Sequence, residues 1–162
     1  RVKEMAEEIS KDYAGKDLLV VGILKGSVLF TSDLIKNITI PCEIDFMAVS
    51  SYGNSAQTSG VVRILKDLDS DIENKHVLIV EDIVDTGTTL SYLLEYLKAR
   101  KAASIEIVAL LDKEARRTSN VSAKYKGFDV PDEFIVGYGI DYAEKYRNLP
   151  FIGALKEEIY NK

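Results

Sequence analysis

Val77-Leu78-Ile79-Val80-Glu81-Asp82-Ile83-Val84-Asp85-Thr86-Gly87-Thr88-Thr89 is the stretch on which the reading of this chain turns. Its first four residues, 77–80, form a short apolar run suited to a strand buried on both faces. The run ends in two carboxylates, Glu81 and Asp82. A third, Asp85, precedes the small-residue turn Thr86-Gly87-Thr88-Thr89. A helical pattern then opens, because Leu90, Leu93, Leu94 and Leu97 fall on one face of a 3.6-residue period. The motif is therefore a strand, an acidic lip, a loop bearing hydroxyls and a glycine, and a helix N-terminus.

Each part has a chemical use. Free backbone N–H groups at a helix start, together with the helix dipole, form an anion site that suits phosphate. Gly87 lets the backbone approach closely, and Thr86, Thr88 and Thr89 add hydroxyl donors. Carboxylates beside such a cradle need a partner between them and the anion, and either sugar hydroxyls or a divalent cation can serve. A phosphorylated sugar fits, with its phosphate in the loop and its hydroxyls on Glu81 and Asp82. Three other readings compete. A receiver domain also opens with two acids after a buried strand, but its late aspartate should end an apolar run, and Asp129 follows Gly127-Phe128 instead. A Walker loop needs Gly-x4-Gly-Lys-Ser/Thr, which is missing. Capping of the helix by Asp85 or Thr86 is reasonable, yet it leaves Glu81 and Asp82 without a role.

Working outward, Val2, Met5, Ala6, Ile9 and Tyr13 predict a helix ending near Gly15, followed by a buried strand over Leu18–Leu24. Lys25-Gly26-Ser27 then leads into a helix reaching about Asn37. Strands are expected over 43–50 and 61–66, with a polar loop over 51–60 between them. The motif strand at 77–80 and a strand at 105–111 flank a helix over 89–101. Short strands near 121–125, 134–138 and 151–155 complete the chain. Successive β-loop-α-β units require right-handed crossovers and a parallel sheet. The fold class is α/β: an open, mainly parallel sheet flanked by helices, with a small irregular hood. In such sheets ligands bind beyond the carboxyl ends of the strands. Lys25, Ser51, Lys113 and the acidic lip all follow predicted strands, so they can converge there.

The composition, 162 residues and 46% hydrophobic, suits one domain over 1–162. A net charge of −5 offers no general attraction to nucleic acid or to a membrane surface. The basic cluster from Lys113 to Arg117 remains a local binding point. Cys42 is the only cysteine, so no internal disulfide forms, which suits a reducing cytoplasm. No apolar run reaches the ~18 residues of a membrane span, and there is no signal-peptide pattern. Because the chain opens with Arg1 rather than Met, residues before it are expected.

Taken together, residues 77–89, Leu24-Lys25-Gly26-Ser27, Ser51-Tyr52-Gly53, Ile64-Leu65-Lys66-Asp67, Leu111-Asp112-Lys113 and Phe134-Ile135-Val136-Gly137-Tyr138-Gly139-Ile140-Asp141-Tyr142 resemble the motifs of the purine phosphoribosyltransferases, in order and over nearly the whole chain. The resemblance is to the bacterial hypoxanthine (guanine) branch and implies the type I phosphoribosyltransferase fold. It implies transfer of phosphoribosyl from 5-phosphoribosyl-1-pyrophosphate to a 6-oxopurine, with Mg2+ as cofactor, in a cytoplasmic homodimer or homotetramer. The resemblance gives each position a role. Glu81 and Asp82 hold the ribose hydroxyls and approach the metal, while Thr86, Gly87, Thr88 and Thr89 hold the 5′-phosphate. Asp85 manages the purine N7 proton. Lys25, Gly26 and Arg147 contact pyrophosphate, with a cis peptide between Leu24 and Lys25. Lys113 donates to the 6-oxo oxygen, Phe134 stacks on the base, Ile135 offers backbone contacts, and Asp141 is a metal ligand. Ser51 and Tyr52 begin a lid. His76, the only histidine, is expected to be structural or exposed. The chain departs from the pattern at Thr88, a variable position, and at Glu114-Ala115, where many relatives carry a proline in the turn that aims Lys113. A nucleic-acid-binding regulator on the same fold would want a basic surface, and a pyrimidine enzyme would not need Lys113 and Phe134.

Overall fold

The computed structural model describes residues 1–51 and 62–161. Helix α1 spans Val2–Asp12, strand β1 Leu18–Leu24, helix α2 Val28–Asn37, strand β2 Cys42–Ser51 and strand β3 Val62–Lys66. Strand β4 spans His76–Val84, helix α3 Thr88–Lys98 and strand β5 Ser104–Asp112. A 3-10 turn at Glu114–Arg116 leads to strand β6, Tyr125–Asp129. Two short strands, β7 (Ile135–Val136) and β8 (Gly153–Ala154), and a single-turn helix α4 (Glu157–Tyr160) follow.

Six strands form one sheet in the order β3-β2-β1-β4-β5-β6, parallel throughout except for the antiparallel pair β2–β3. This is the expected mainly parallel α/β sheet. Alternate residues of the central strands feed two layers. Leu18, Val20, Leu78, Val80, Val108 and Leu110 pack with α1 and α2. Leu19, Val21, Val77, Ile79, Ile107 and Ala109 pack instead with Leu90, Leu93 and Leu97 of α3. Double-sided burial is why these strands read as unbroken apolar runs. The leucine stripe holds α3 in place, since full burial of each side chain contributes about 1.5–3 kcal/mol. The β7–β8 pair and its loops make the small hood.

The structure moves several expected boundaries. The motif strand does not stop at Val80: Glu81 pairs with Ala109, Ile83 with Leu111 and Val84 with Asp112. Ladder hydrogen bonds involve only the backbone, so the strand continues through its two acids. The strand expected at 121–125 lies instead at Tyr125–Asp129, because the Val121 carbonyl is taken by the Arg117 side chain. The runs at 134–138 and 151–155 shrink to two residues each. Gly137, Tyr138 and Gly139 all have positive φ and turn the chain out of the ladder. Helix α3 ends at Lys98 rather than 101, where Lys101 at φ 59° reverses the chain. Ser51 pairs with Val62 at the end of β2, whereas Tyr52 and the rest of the expected loop to 60, with residue 61 of the expected strand, lie outside the described residues. No helix among the described residues is long and apolar enough to cross a membrane.

Candidate functional site

Strands β1, β4 and β5 deliver their C-terminal ends to one edge, and two cavities open there. The larger, about 570 Å3, is lined by Lys25 and Gly26 after β1, by Glu81, Asp82, Asp85, Thr86, Gly87 and Thr89 around the end of β4, and by Asp141, Glu144 and Arg147. The smaller, about 310 Å3, is lined by Lys113, Arg116, Phe134, Ile135 and Tyr160, among others. Ile83, Asp85 and Asp141 belong to both walls. Most of the sequence-predicted residues line these two chambers, which share Asp85, whereas Thr88 lines neither.

In the larger chamber the loop before α3 is built for close approach. Gly87 adopts φ 83°, a left-handed conformation, and caps the helix without a side-chain hydrogen bond. Gly87, not Asp85 or Thr86, is the capping position, although Thr86 Oγ1 accepts the Thr88 N–H over a long 3.4 Å; the N–H groups that follow in the first turn can serve an anion. Thr86 Oγ1 lies 3.2 Å from Thr88 Oγ1. Thr88 itself is exposed and does not line the cavity, whereas Thr89 does. Glu81 is buried, and burial, then the neighbouring Asp82 carboxylate, hold its pKa well above the ordinary range. Burial also raises Asp82, against the opposing hydrogen bond from the Ile83 N–H at 2.7 Å. A pair of carboxyls so placed gains from hydroxyl donors or a cation brought between them.

The opposite wall is cationic and already occupied by a carboxylate. The Leu24–Lys25 peptide is cis, as expected from the resemblance. Lys25 Nζ contacts Glu144 Oε2 at 3.0 Å, and Arg147 Nη2 contacts Glu144 Oε1 at 3.2 Å. Arg147 is further oriented by the Gly139 carbonyl at 2.8 Å and by Asp141 Oδ1 at 3.3 Å. Asp141 Oδ2 accepts the Glu144 N–H at 2.9 Å. Gly139 packs against the Gly26 carbonyl so tightly that a Cβ there would lie 2.3 Å from it, at φ 98°.

In the smaller chamber Lys113 is 6% exposed, and its ammonium donates to the Glu133 carbonyl at 2.8 Å. Two of its three donors have no such partner and can face a ligand. The turn behind it closes without proline, since Arg116 N–H donates to Lys113 O at 3.2 Å and Arg117 N–H to Glu114 O at 3.0 Å. Phe134 is 38% exposed, so it is not a core residue. Tyr142 meets its ring edge-on at 5.3 Å, and Tyr160 lies at 5.1 Å with a 32° tilt. Asp85 Oδ1 is buried without a hydrogen bond, its nearest cation being Arg116 Nε at 3.5 Å. An acceptor left open at the boundary between two cavities is suited to take a proton-bearing ligand nitrogen.

Several residues escaped the sequence reading. Tyr160 and Glu144 carried no motif of their own, and Arg116 and Arg117 were counted only within a basic cluster. That cluster is not one binding surface: Lys113 and Arg116 line the base-sized chamber, while Arg117 turns inward toward buried Asp112. His76 sits at the far end of β4, half-buried, with Nδ1 2.7 Å from Ser104 Oγ, as a structural histidine should.

The family model of the phosphoribosyl transferase domain matches residues 1–143. A hypoxanthine-guanine phosphoribosyltransferase of Staphylococcus aureus (strain Mu50) is 58% identical over 159 residues, 98% of this chain and 89% of that protein. A crystal structure of a hypoxanthine phosphoribosyltransferase from Staphylococcus aureus superimposes with a TM-score of 0.96 at 57% identity, covering 99% of this chain and 88% of that one. A hypoxanthine-guanine phosphoribosyltransferase from Bacillus anthracis, solved with a HEPES molecule in its active site, has a TM-score of 0.91 at 49% identity, covering 96% and 91% of the two chains.

Proposed function

The chain belongs to the phosphoribosyl transferase family, and from that premise we propose how its own residues carry out the reaction. It is a hypoxanthine (guanine) phosphoribosyltransferase of purine salvage. The base attacks C1′ of 5-phosphoribosyl-1-pyrophosphate through N9, the bond from C1′ to the pyrophosphate oxygen breaks, and the nucleoside monophosphate and pyrophosphate leave. The observation that carries the residue assignment is the pair of chambers with Asp85 in their common wall. C1′ and N9 must meet at such a boundary, and holding both reactants there removes most of the entropic barrier.

In the larger chamber the first turn of α3, with Thr86, Gly87, Thr88 and Thr89, holds the 5′-phosphate, while Glu81 and Asp82 accept the ribose hydroxyls. Lys25, Gly26 and Arg147 receive pyrophosphate, which takes the place of the Glu144 carboxylate between the two cations. In the smaller chamber Lys113 donates to the 6-oxo oxygen. A buried ammonium has no acceptor for the adenine amine, so 6-oxopurines are favoured. Phe134 stacks on the base and Ile135 meets its edge through the backbone. Asp85 Oδ1 accepts the N7 proton as positive charge grows on the imidazole. Ser51 and Tyr52 begin the lid that excludes water from the cationic C1′.

Magnesium suits oxygen donors of the kind that Glu81, Asp82 and Asp141 offer in the larger chamber. No three acids among the described residues cluster closely enough to cage a metal by themselves, so one or two of them would hold the ion, with waters and substrate oxygens supplying the rest. Bound there, it would neutralise charge on the pyrophosphate. The chain works as one domain over 1–162, in a homodimer or homotetramer in the cytoplasm, with no nucleic-acid or membrane partner. A spectrophotometric assay with phosphoribosyl pyrophosphate, magnesium and, in turn, hypoxanthine, guanine, xanthine and adenine tests the reading. Turnover of the first two is expected, and no turnover with any base overturns it. Asp85→Asn is expected to lower kcat far more than it weakens phosphoribosyl pyrophosphate binding. The reverse pattern would make Asp85 a binding residue.

A further inference from the structure

The loop that carries Asp85 is held from beneath by a segment no motif covers. The 3-10 turn at Glu114–Arg116 doubles the chain back, so that Lys113 and Arg116 face the smaller chamber and Arg117 passes under residues 85–87. The Arg117 guanidinium then reaches three acceptors on three different segments. Nε donates to the Asp85 carbonyl at 3.1 Å, and Nη1 to the Val121 carbonyl at 2.7 Å. Nη2 pairs with the buried Asp112 carboxylate at the end of β5.

The next carbonyl, that of Thr86, is gripped as well. It accepts the Thr118 N–H at 3.0 Å, the Ser119 N–H at 3.3 Å and the Ser119 hydroxyl at 3.0 Å. Behind Gly87 there is no spare room: a Cβ there would fall 2.5 Å from Ser119 Oγ and 3.1 Å from Arg117 Cδ. Only a planar fork with divergent donors meets Asp85, Val121 and Asp112 at once. The side chain of Asp85, by contrast, makes no hydrogen bond through Oδ1. Its one charged contact is the ion pair with Arg116 Nε at 3.5 Å, so the hydrogen bonds that fix Asp85 run through its own main chain and the loop beneath.

We propose that Arg117, seconded by Ser119, is the positioning residue for Asp85: it locks the carbonyls of residues 85 and 86 so that the Asp85 carboxylate stands open at the junction of the two chambers. This rests on the reading of Asp85 as the proton acceptor. Arg117 touches neither chamber and is not itself catalytic. Loss of its grip lets the carboxylate wander, and a displacement near 1 Å at a reacting group costs about a hundredfold in rate.

The test is a double-mutant cycle on kcat with hypoxanthine, alongside thermal unfolding. Arg117→Lys keeps a cation for Asp112 and loses the fork. It is expected to lower kcat at least about tenfold, with a smaller change in the KM for hypoxanthine. In an Asp85→Asn background the same substitution is expected to cost almost nothing further, because the group it positions is already disabled. A merely structural arginine would cost as much in both backgrounds, and that additive result overturns the proposal. So does a wild-type kcat in Arg117→Lys. Should Arg117→Lys fail to fold, Ser119→Ala, which removes one hydroxyl from the grip, carries the same cycle: non-additivity with Asp85→Asn supports the proposal, and additivity or a wild-type kcat overturns it. A wild-type kcat in Asp85→Asn alone is a separate failure: it removes the proton acceptor and the proposal with it, whereas additivity removes the clip and leaves Asp85 in its role.

Discussion

Replacing Gly26 with alanine adds one methyl group at the tightest point of the phosphosugar chamber. An ideal Cβ on Gly26 would stand 1.9 Å from Asp82 Oδ2 and 2.8 Å from its Cγ. Non-bonded carbon contacts settle near about 3.5 Å, so the carboxylate must withdraw by more than about 1 Å. Gly26 is not in the left-handed region, so alanine suits its backbone and the effect is purely one of contact. Asp82 has little freedom to yield, since its Oδ1 is held by the Ile83 N–H at 2.7 Å and buried Glu81 lies beside it. A displacement of that size at a group orienting the reacting sugar costs about a hundredfold, or about 2.7 kcal/mol. We therefore expect kcat/KM for phosphoribosyl pyrophosphate to fall by about two orders of magnitude in Gly26→Ala. Gly26 does not line the smaller chamber, so the KM for hypoxanthine is expected to stay near its wild-type value. Overpacking lowers stability by about 1–3 kcal/mol, which thermal unfolding reads separately. Initial rates with phosphoribosyl pyrophosphate varied at saturating base provide the measurement. A kcat/KM within about threefold of wild type would refute the placement of Asp82 and Gly26 against the same sugar.

Two further substitutions probe the base chamber and the scaffold. Phe134→Ala removes a stacking surface worth about 1–3 kcal/mol per base, so the KM for hypoxanthine should rise about tenfold. Phosphoribosyl pyrophosphate affinity, read by calorimetry, should hold, and an equal loss of both would place Phe134 outside the base site. Asp45 is buried in β2 and accepts the N–H groups of Phe46 at 2.7 Å and Asp69 at 2.8 Å, with Lys66 Nζ at 3.4 Å. Burial pushes its pKa up, but these donors and the ammonium outweigh it and hold the carboxyl below the ordinary 3.8. The folded state thus gives up its proton more readily than the unfolded chain. The resulting stability is complete above the unfolded value and lost as pH falls through the folded one. Urea unfolding between about pH 3 and pH 6 should therefore show a flatter acid limb for Asp45→Asn than for the wild type, and identical limbs would contradict this account.

Much of the fold was legible along the chain. The four apolar residues at 77–80 announced a doubly buried strand, and the leucine period announced the helix behind it. Two β-loop-α-β units required a parallel sheet. The site was legible to the same depth, because Lys25, Asp85 and Lys113 each follow a strand of that sheet. What failed was local extent. Strand β4 ran on through Glu81 and Asp82 because its ladder with β5 uses only backbone groups. A strand was misplaced at 121–125 because a side chain, Arg117, had claimed the Val121 carbonyl.

The sequence by itself determined the strand–acid–turn–helix motif, the class of sheet, and which residue types could hold a phosphate, a sugar and a base. These follow from side-chain period and loop chemistry, which neighbours in the chain settle among themselves. Only the tertiary structure decided that Asp85 stands between two chambers, that Glu144 lies between Lys25 and Arg147, and that Arg117 holds the loop from below. Arg117 and Asp85 are 32 residues apart, and Lys25 and Glu144 are 119 apart. Contacts at that separation exist only once the sheet has closed its order and the hood has folded over its edge. Periodicity does not carry that information, because it records which face a residue takes and not which distant partner will meet it there.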